Sequence, residues 1–304
     1  MFVIVAPGQG AQKPGFLTPW LEHAGFQGQL DAWSSQTGLD LQKLGTESEA
    51  EIIKKTEFAQ PLVVAAGLLV GQELLKRLPA DVEISLSGHS VGEFTAACLG
   101  GLMSQDDTIA VVAERGRAMA EAASESATGM AAVLGTDYET LSTILDGADL
   151  FAANFNGAGQ VVVAGKLENI EKFKLKAPAG TRIVNLEVAG AFHTPFMESA
   201  KDSVRNFAIS LDTRAPKFPI YSNRDGERVT YENAVRYLIE QTTRPVRWDL
   251  CMQSFARDGV EGVIELPPAG TLAGLTKRSL KGVPTMTVNR PEDLDSIIGF
   301  VGGR

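Results

Sequence analysis

Two rhythms of apolar residues run along the chain. Phe2–Ala6 is a short continuous apolar run, Val263-Ile264-Glu265-Leu266 is apolar but for one glutamate, and 82–86 is a β-rich run just before glycine; all three read as strands of a covered sheet. Longer stretches are helical in period or apolar throughout. After Gln60-Pro61, the run L-V-V-A-A-G-L-L-V-G-Q-E-L-L predicts a core helix with Pro61 near its first position. Gln60 would cap that helix or point into a site. Ser104-x-x-Asp107 reads as a capping box opening a helix to about residue 124. Ile109, Val112, Ala113, Gly116, Met119 and Ala120 form its apolar stripe, and Arg115 flanks that stripe. An arginine there is either a surface partner of a carboxylate or, beside a nucleophile, a planar fork for an acidic substrate. Residues 17–57 read as polar and amphipathic helices with loops.

The pattern changes from about residue 128. Strands are expected at 130–134, 150–153, 160–164 and 182–188, helices at 138–145 and 167–174, and a turn at 154–159. This βαββαβ order is the ferredoxin-like signature, so 125–189 reads as a small inserted subdomain. Residues 1–124 and 190–304 then make a larger α/β subdomain. In it a strand is expected at 219–221, a helix closing at Gln241, and a terminal helix at 271–280. Strands alternating with helices predict a mostly parallel, hydrolase-like sheet.

Gly88-His89-Ser90-Val91-Gly92 lies between the strand at 82–86 and a segment of small residues, Thr95, Ala96, Ala97 and Gly100, suited to a helix packed on a sheet. G-x-S-x-G in a strand–turn–helix context is a nucleophile elbow: a strained turn lifts the serine above the sheet, and the helix N-terminus aims N–H groups at a developing oxyanion. An incidental serine in a tight turn would look the same until a base is found. The N-terminal strand runs into Pro7-Gly8-Gln9-Gly10-Ala11-Gln12, which would be a phosphate cradle, a plain turn or the second half of an oxyanion hole opposite Val91.

Histidine is scarce. His89 neighbours Ser90 and should point elsewhere, His23 lies in a polar N-terminal helix, and His193 in Gly190-Ala191-Phe192-His193 is the candidate base. In α/β-hydrolases an acid follows the serine and precedes the histidine, whereas here more than a hundred residues follow His193 with no further histidine. A Ser–Asp dyad would use Asp225-Gly226. Neither scheme accounts for the glycine-rich N-terminus or Arg115.

Composition narrows the setting. The 304 residues carry a net charge of −9, with no basic run that reads as a nucleic-acid footprint. Cys98 and Cys251 stand outside any metal or redox spacing and read as reduced core thiols. The first residues lack the basic start of a signal peptide, and no stretch reads as a membrane span. A cytoplasmic monomer is expected, with no nucleic-acid or membrane partner.

Taken together, the motifs resemble the malonyl-CoA:acyl-carrier-protein transacylases over nearly the whole chain. The resemblance is carried by P-G-Q-G-A-Q at 7–12, Q-P-L at 60–62, G-H-S-V-G-E at 88–93 and R-G-x-x-M at 115–119. It continues in N-F-N-G-A-G-Q-V-V-V-A-G at 154–165, G-A-F-H at 190–193, S-N-R-D-G at 222–226 and P-V-R-W at 245–248. It implies an α/β hydrolase-like domain with a ferredoxin-like insert, Ser90 as nucleophile and His193 as base. It further implies that the Gln241 carbonyl orients His193, that the Gln9 and Val91 amides form the oxyanion hole, and that Arg115 holds the malonyl carboxylate. Phe192 would favour malonyl over bulkier acyl groups, and Gln60 and Asn154 are candidate pocket residues. No cofactor is implied; the substrates would be malonyl-CoA and acyl carrier protein. Arg117, Lys277, Arg278 and Lys281 are candidates for docking the acidic carrier. One departure is Pro267-Pro268-Ala269-Gly270, where the family commonly has G-P-G. A serine esterase or thioesterase and a catalytically silent carrier-binding subunit are the competing readings.

Overall fold

The computed structural model describes residues 1–136, 138–178 and 180–303. Strand β1 (Phe2–Ala6) is followed by helices α1 (Phe26–Thr37), α2 (Leu41–Thr46), α3 (Ala50–Ile53) and α4 (Thr56–Arg77), then β2 (Ile84–Gly88), α5 (Gly92–Leu99) and α6 (Gln105–Ser124). A second set follows: β3 (Thr128–Leu134), α7 (Tyr138–Ala148), β4 (Leu150–Gly157), β5 (Gln160–Lys166), α8 (Leu167–Lys176) and β6 (Arg182–Asn185). The chain then returns through α9 (Glu198–Ala208), β7 (Ile220–Tyr221), α10 (Tyr231–Glu240), α11 (Trp248–Arg257), β8 (Gly262–Glu265), α12 (Thr271–Ser279), β9 (Thr285–Thr287) and α13 (Pro291–Gly302).

The two sets make two sheets. The first is parallel throughout, in the order β7-β2-β1-β8-β9, with β1 and β2 buried along their whole length. The second is antiparallel, in the order β4-β5-β3-β6. A covered parallel sheet explains why β1 reads as an unbroken apolar run. The sheets are tied where β4 meets the segment before α11: Phe155 N–H donates to the Val246 carbonyl at 2.8 Å, and Val246 N–H to Ala153 at 2.9 Å.

Several elements differ from the sequence reading. Helix α4 begins at Thr56, so Pro61 lies inside it and Gln60 cannot be its cap. By length and composition α4 could also cross a membrane, contrary to expectation, yet 72% of its most apolar window is buried inside this fold. The expected turn at 154–159 shrinks, because β4 continues to Gly157 with Asn154 opposite Val162 and Phe155 opposite Val161. Polar Asn154 and Asn156 disguise the strand; they are polar because they face a cleft. His23 sits in a turn rather than a helix. The helix at 271–280 is not terminal, for β9 and α13 follow, and α13 buries Leu294, Ile297 and Val301. Along α6 the buried face includes Arg115 itself, while Ala113 and Ala120 are only partly covered.

Candidate active site

The end of β2 enters a turn that only small residues can make. A Cβ on Gly88 would lie 2.0 Å from the carbonyl carbon of Gly92, and one on Gly92 would lie 2.2 Å from the Ala6 carbonyl oxygen. Between them Ser90 takes φ 54°, a left-handed conformation costly for serine and held here by its surroundings. Asn223, just after β7, supplies that hold. Its Oδ1 accepts the Ser90 N–H at 2.8 Å and its Nδ2 donates to the Gly88 carbonyl at 2.7 Å.

The turn presents Ser90 Oγ 2.7 Å from His193 Nε2. His193, itself at φ 61°, places Nδ1 2.7 Å from the backbone oxygen of Gln241, at the end of α10. A carbonyl only accepts, so Nδ1 carries the proton and Nε2 is left to accept from the serine hydroxyl. Burial first, and then the Arg115 charge, hold the imidazole pKa down to about 3. Asp225 plays no part in this pair. It is exposed and accepts the Glu227 N–H at 3.0 Å. His89 points away from Ser90, its Nε2 3.0 Å from Asn156 Oδ1 and its ring edge-on to Trp248.

Arg115 is fully buried. Its Nη1 donates to Gln60 Oε1 at 2.5 Å and its Nη2 to Gln241 Oε1 at 3.0 Å, while Nε has no partner among the described residues. Desolvation lowers its pKa to about 10, which leaves it charged near neutrality. Gln60 therefore faces Arg115 from inside α4. The Gln241 side chain completes the cluster, donating from Nε2 to the Ser90 carbonyl at 3.2 Å and to Glu93 Oε2 at 2.9 Å. Glu93 Oε1 accepts the Asn223 N–H at 2.7 Å. Burial raises the Glu93 carboxyl to about 7.

The Gln9 and Val91 amides lie in the loop after β1 and at the start of α5, and among the described residues neither donates a hydrogen bond within the protein. The Gln9 side chain is anchored to Thr56 Oγ1 at 3.2 Å. A cleft of about 570 Å³ is walled by Gly8, Gln9, His89, Asn154, Asn156 and Leu275, among others, and the buried Oδ1 of Asn154 has no partner among the described residues. A second cavity of about 280 Å³ reaches His193 from beside Tyr138 and Phe155. Phe192 is buried in an apolar cluster with Met119, Val162 and Met197. Cys98 and Cys251 are free and buried. Gly270 N–H, in the departing Pro-Pro-Ala-Gly segment, donates to Glu265 Oε2 at 2.9 Å.

The candidate docking residues differ in their surroundings. Arg117 is engaged by Glu114 and Glu121 on its own helix, whereas Lys277, Arg278 and Lys281 are exposed around the end of α12. Glu93 and Asn223 were not singled out from sequence. Their signals were present, a glutamate opening an otherwise apolar helix and an asparagine leading the turn after β7.

An elbow serine hydrogen-bonded to a buried imidazole, on a parallel sheet with helices, is the arrangement of an acyl-transfer site on an α/β fold. The acyl transferase domain family matches residues 3–291. A malonyl CoA-acyl carrier protein transacylase of Mycobacterium bovis is 46% identical, covering 98% of this chain and 99% of that protein. The crystal structure of the Mycobacterium tuberculosis MCAT superposes with a TM-score of 0.95 at 45% identity, covering 98% and 99% of the two chains. A malonyl-transacylase solved in complex with a type II PKS acyl-carrier protein superposes at 0.92 with 28% identity, covering 98% and 99%. The chain belongs to the malonyl CoA-acyl carrier protein transacylase family.

Proposed function

We propose that this chain moves a malonyl group from malonyl-CoA to the phosphopantetheine thiol of acyl carrier protein, supplying extender units for fatty-acid synthesis. Ser90 Oγ attacks the thioester carbonyl as His193 Nε2 takes its proton, and the oxyanion rests on the Gln9 and Val91 N–H groups. Collapse expels the CoA thiolate, which takes the proton back from His193. The carrier thiol then gives its proton to His193, attacks the malonyl-serine ester, and releases Ser90, which is reprotonated. The Gln241 carbonyl steers the imidazole in place of a triad carboxylate. The chemistry runs on the chain's own side chains, with no cofactor.

The observation that carries the malonyl reading is Arg115, a fully buried cation hydrogen-bonded to two neutral amides, with its Nε unpartnered among the described residues. A buried charge whose hydrogen bonds go to neutral amides, with the Glu93 carboxylate beyond Gln241 and not bonded to it directly, is costly, and a substrate carboxylate would offset that cost by a charge-assisted pairing. Gln60 aligns this fork, Asn154 lines the approach, and Phe192 limits the acyl group. Residues 125–189 form the subdomain that walls the cleft opposite 1–124 and 190–304. Lys277, Arg278 and Lys281 dock the acidic carrier, and the enzyme works as a cytoplasmic monomer.

Intact-protein mass after brief exposure to malonyl-CoA and to acetyl-CoA tests the reading. A malonyl adduct on the wild type, absent in Ser90→Ala and strongly reduced in Arg115→Ala, is the expected result. Equal loading by acetyl-CoA would overturn the carboxylate clamp, and no adduct at all would overturn the transacylase.

A further inference from the structure

Gln241 meets both halves of the site: its carbonyl oxygen takes the His193 N–H, and its side-chain oxygen takes an Arg115 N–H. A side-chain amide has a direction, and which end faces Arg115 depends on what stands at the other end. There Glu93 Oε2 accepts the Gln241 Nε2–H at 2.9 Å, while Glu93 Oε1 accepts the Asn223 backbone N–H at 2.7 Å. Both carboxylate oxygens thus face donors, in a group only 4% exposed and outside both cavities described above.

We propose that Glu93 is a positioning residue for the acid-binding arginine, acting through Gln241: its carboxylate fixes that amide with the oxygen turned to Arg115. The inference rests on the reading of Arg115 as the partner of the malonyl carboxylate. In Glu93→Gln the new amide oxygen keeps the Asn223 N–H, because a backbone donor cannot turn away. Its NH2 then meets the Gln241 NH2. Two donors cannot pair, and the Ser90 carbonyl at 3.2 Å is then the one acceptor left to Gln241 Nε2 among the described residues, so the amide loses its stronger restraint and turns over for part of the time, presenting N–H to the Arg115 guanidinium. Protonating Glu93 weakens the same restraint, because a neutral carboxyl accepts less strongly than a carboxylate, and burial brings that carboxyl to about 7. The charged and titratable groups facing it are Arg115 on α6, Asp225 in the turn after β7 and the Cys251 thiol on α11, which burial keeps protonated.

The test is the rate of acyl-enzyme formation from malonyl-CoA and acetyl-CoA, measured separately for wild type, Glu93→Gln and Arg115→Ala between about pH 5.5 and 8.5. At the alkaline end the malonyl-to-acetyl ratio should fall about tenfold in Glu93→Gln. In the wild type the ratio should fall as pH drops through the Glu93 range, and in Glu93→Gln it should be flat. If both rates fall in proportion, with the ratio within about twofold of wild type, Glu93 is merely structural and the proposal fails. Should Glu93→Gln melt before assay, a wild-type ratio that is constant with pH overturns the proposal by itself. A wild-type ratio no higher than that of Arg115→Ala instead marks failure of the Arg115 reading, and the inference falls with it.

Discussion

His193 Nδ1 donates to the backbone oxygen of Gln241 at 2.7 Å, where a hydrolase triad would place a carboxylate. A peptide oxygen fixes the tautomer and the ring plane as an acid would, but it brings no negative charge to stabilise an imidazolium. Buried beside the Arg115 cation, the ring stays neutral in the resting site.

That absence of charge has a consequence for pH. His193 has its pKa lowered to about 3, so the neutral, proton-accepting form prevails above that value and is lost only as pH falls through it. Loading of acetyl-CoA, which does not call on Arg115, should therefore be level between about pH 5 and 8. A fall with a midpoint near the ordinary histidine range, measured by rapid-quench mass analysis, would contradict the buried-neutral assignment. Removing the neighbouring cation in Arg115→Ala should move the imidazole pKa upward.

Arg115→Lys tests whether a charge alone suffices. Lysine is a point charge on a flexible stem and cannot hold Gln60 and Gln241 in one plane while also offering a fork to a carboxylate. Malonyl loading should fall about 10- to 100-fold, with KM rising more than kcat falls, since a ground-state contact is lost as well. Steady-state kinetics on both thioesters would show it; an unchanged KM for malonyl-CoA would count against the clamp.

Two glycines separate turn geometry from chain flexibility. Gly88→Ala drives a Cβ to 2.0 Å from backbone, so it should cost about 3 kcal/mol or more, abolish loading and lower the melting temperature. Gly28→Ala, in the exposed first turns of α1 with open space around its Cβ, should stabilise by about 0.5–1 kcal/mol and leave loading intact. Thermal melts of the pair would reveal whether steric demand at the elbow, rather than glycine content, matters.

Asn223→Ala removes the acceptor of the Ser90 N–H and the donor to Gly88. The elbow strain would then lose its restraint, and serine would leave the imidazole for part of the time. Loading by malonyl-CoA and acetyl-CoA should fall by a common factor of about 10 to 100, in contrast to the selective loss predicted at Glu93. A loss confined to malonyl-CoA would assign Asn223 to the clamp instead.

The elbow could be read from the chain because part of its cause is local. Gly88 is kept bare by Gly92, four residues on, so spacing announces the turn, while Gly92 is kept bare by the Ala6 carbonyl of β1, a contact with a strand distant in sequence. The helix opened by Ser104 is legible for the same reason: the serine accepts the Asp107 N–H at 3.0 Å, a contact fixed by sequence separation. Histidine scarcity then singled out His193, and the motifs together gave the family.

What needed the tertiary structure is the set of buried polar partners. Gln60 reads from the chain as either a cap or a site residue, because Pro61 suggests a helix start there; α4 in fact begins at Thr56 and turns Gln60 inward to Arg115. Arg115 reads as a flank of an apolar stripe, and the packing of α4, α5 and α9 against α6 removes it from water. Polar side chains on β4 similarly read as a turn. Local sterics act between neighbours and leave a pattern in spacing. The partner of a buried charge is chosen by which distant elements pack over it, and no period along the chain records that choice.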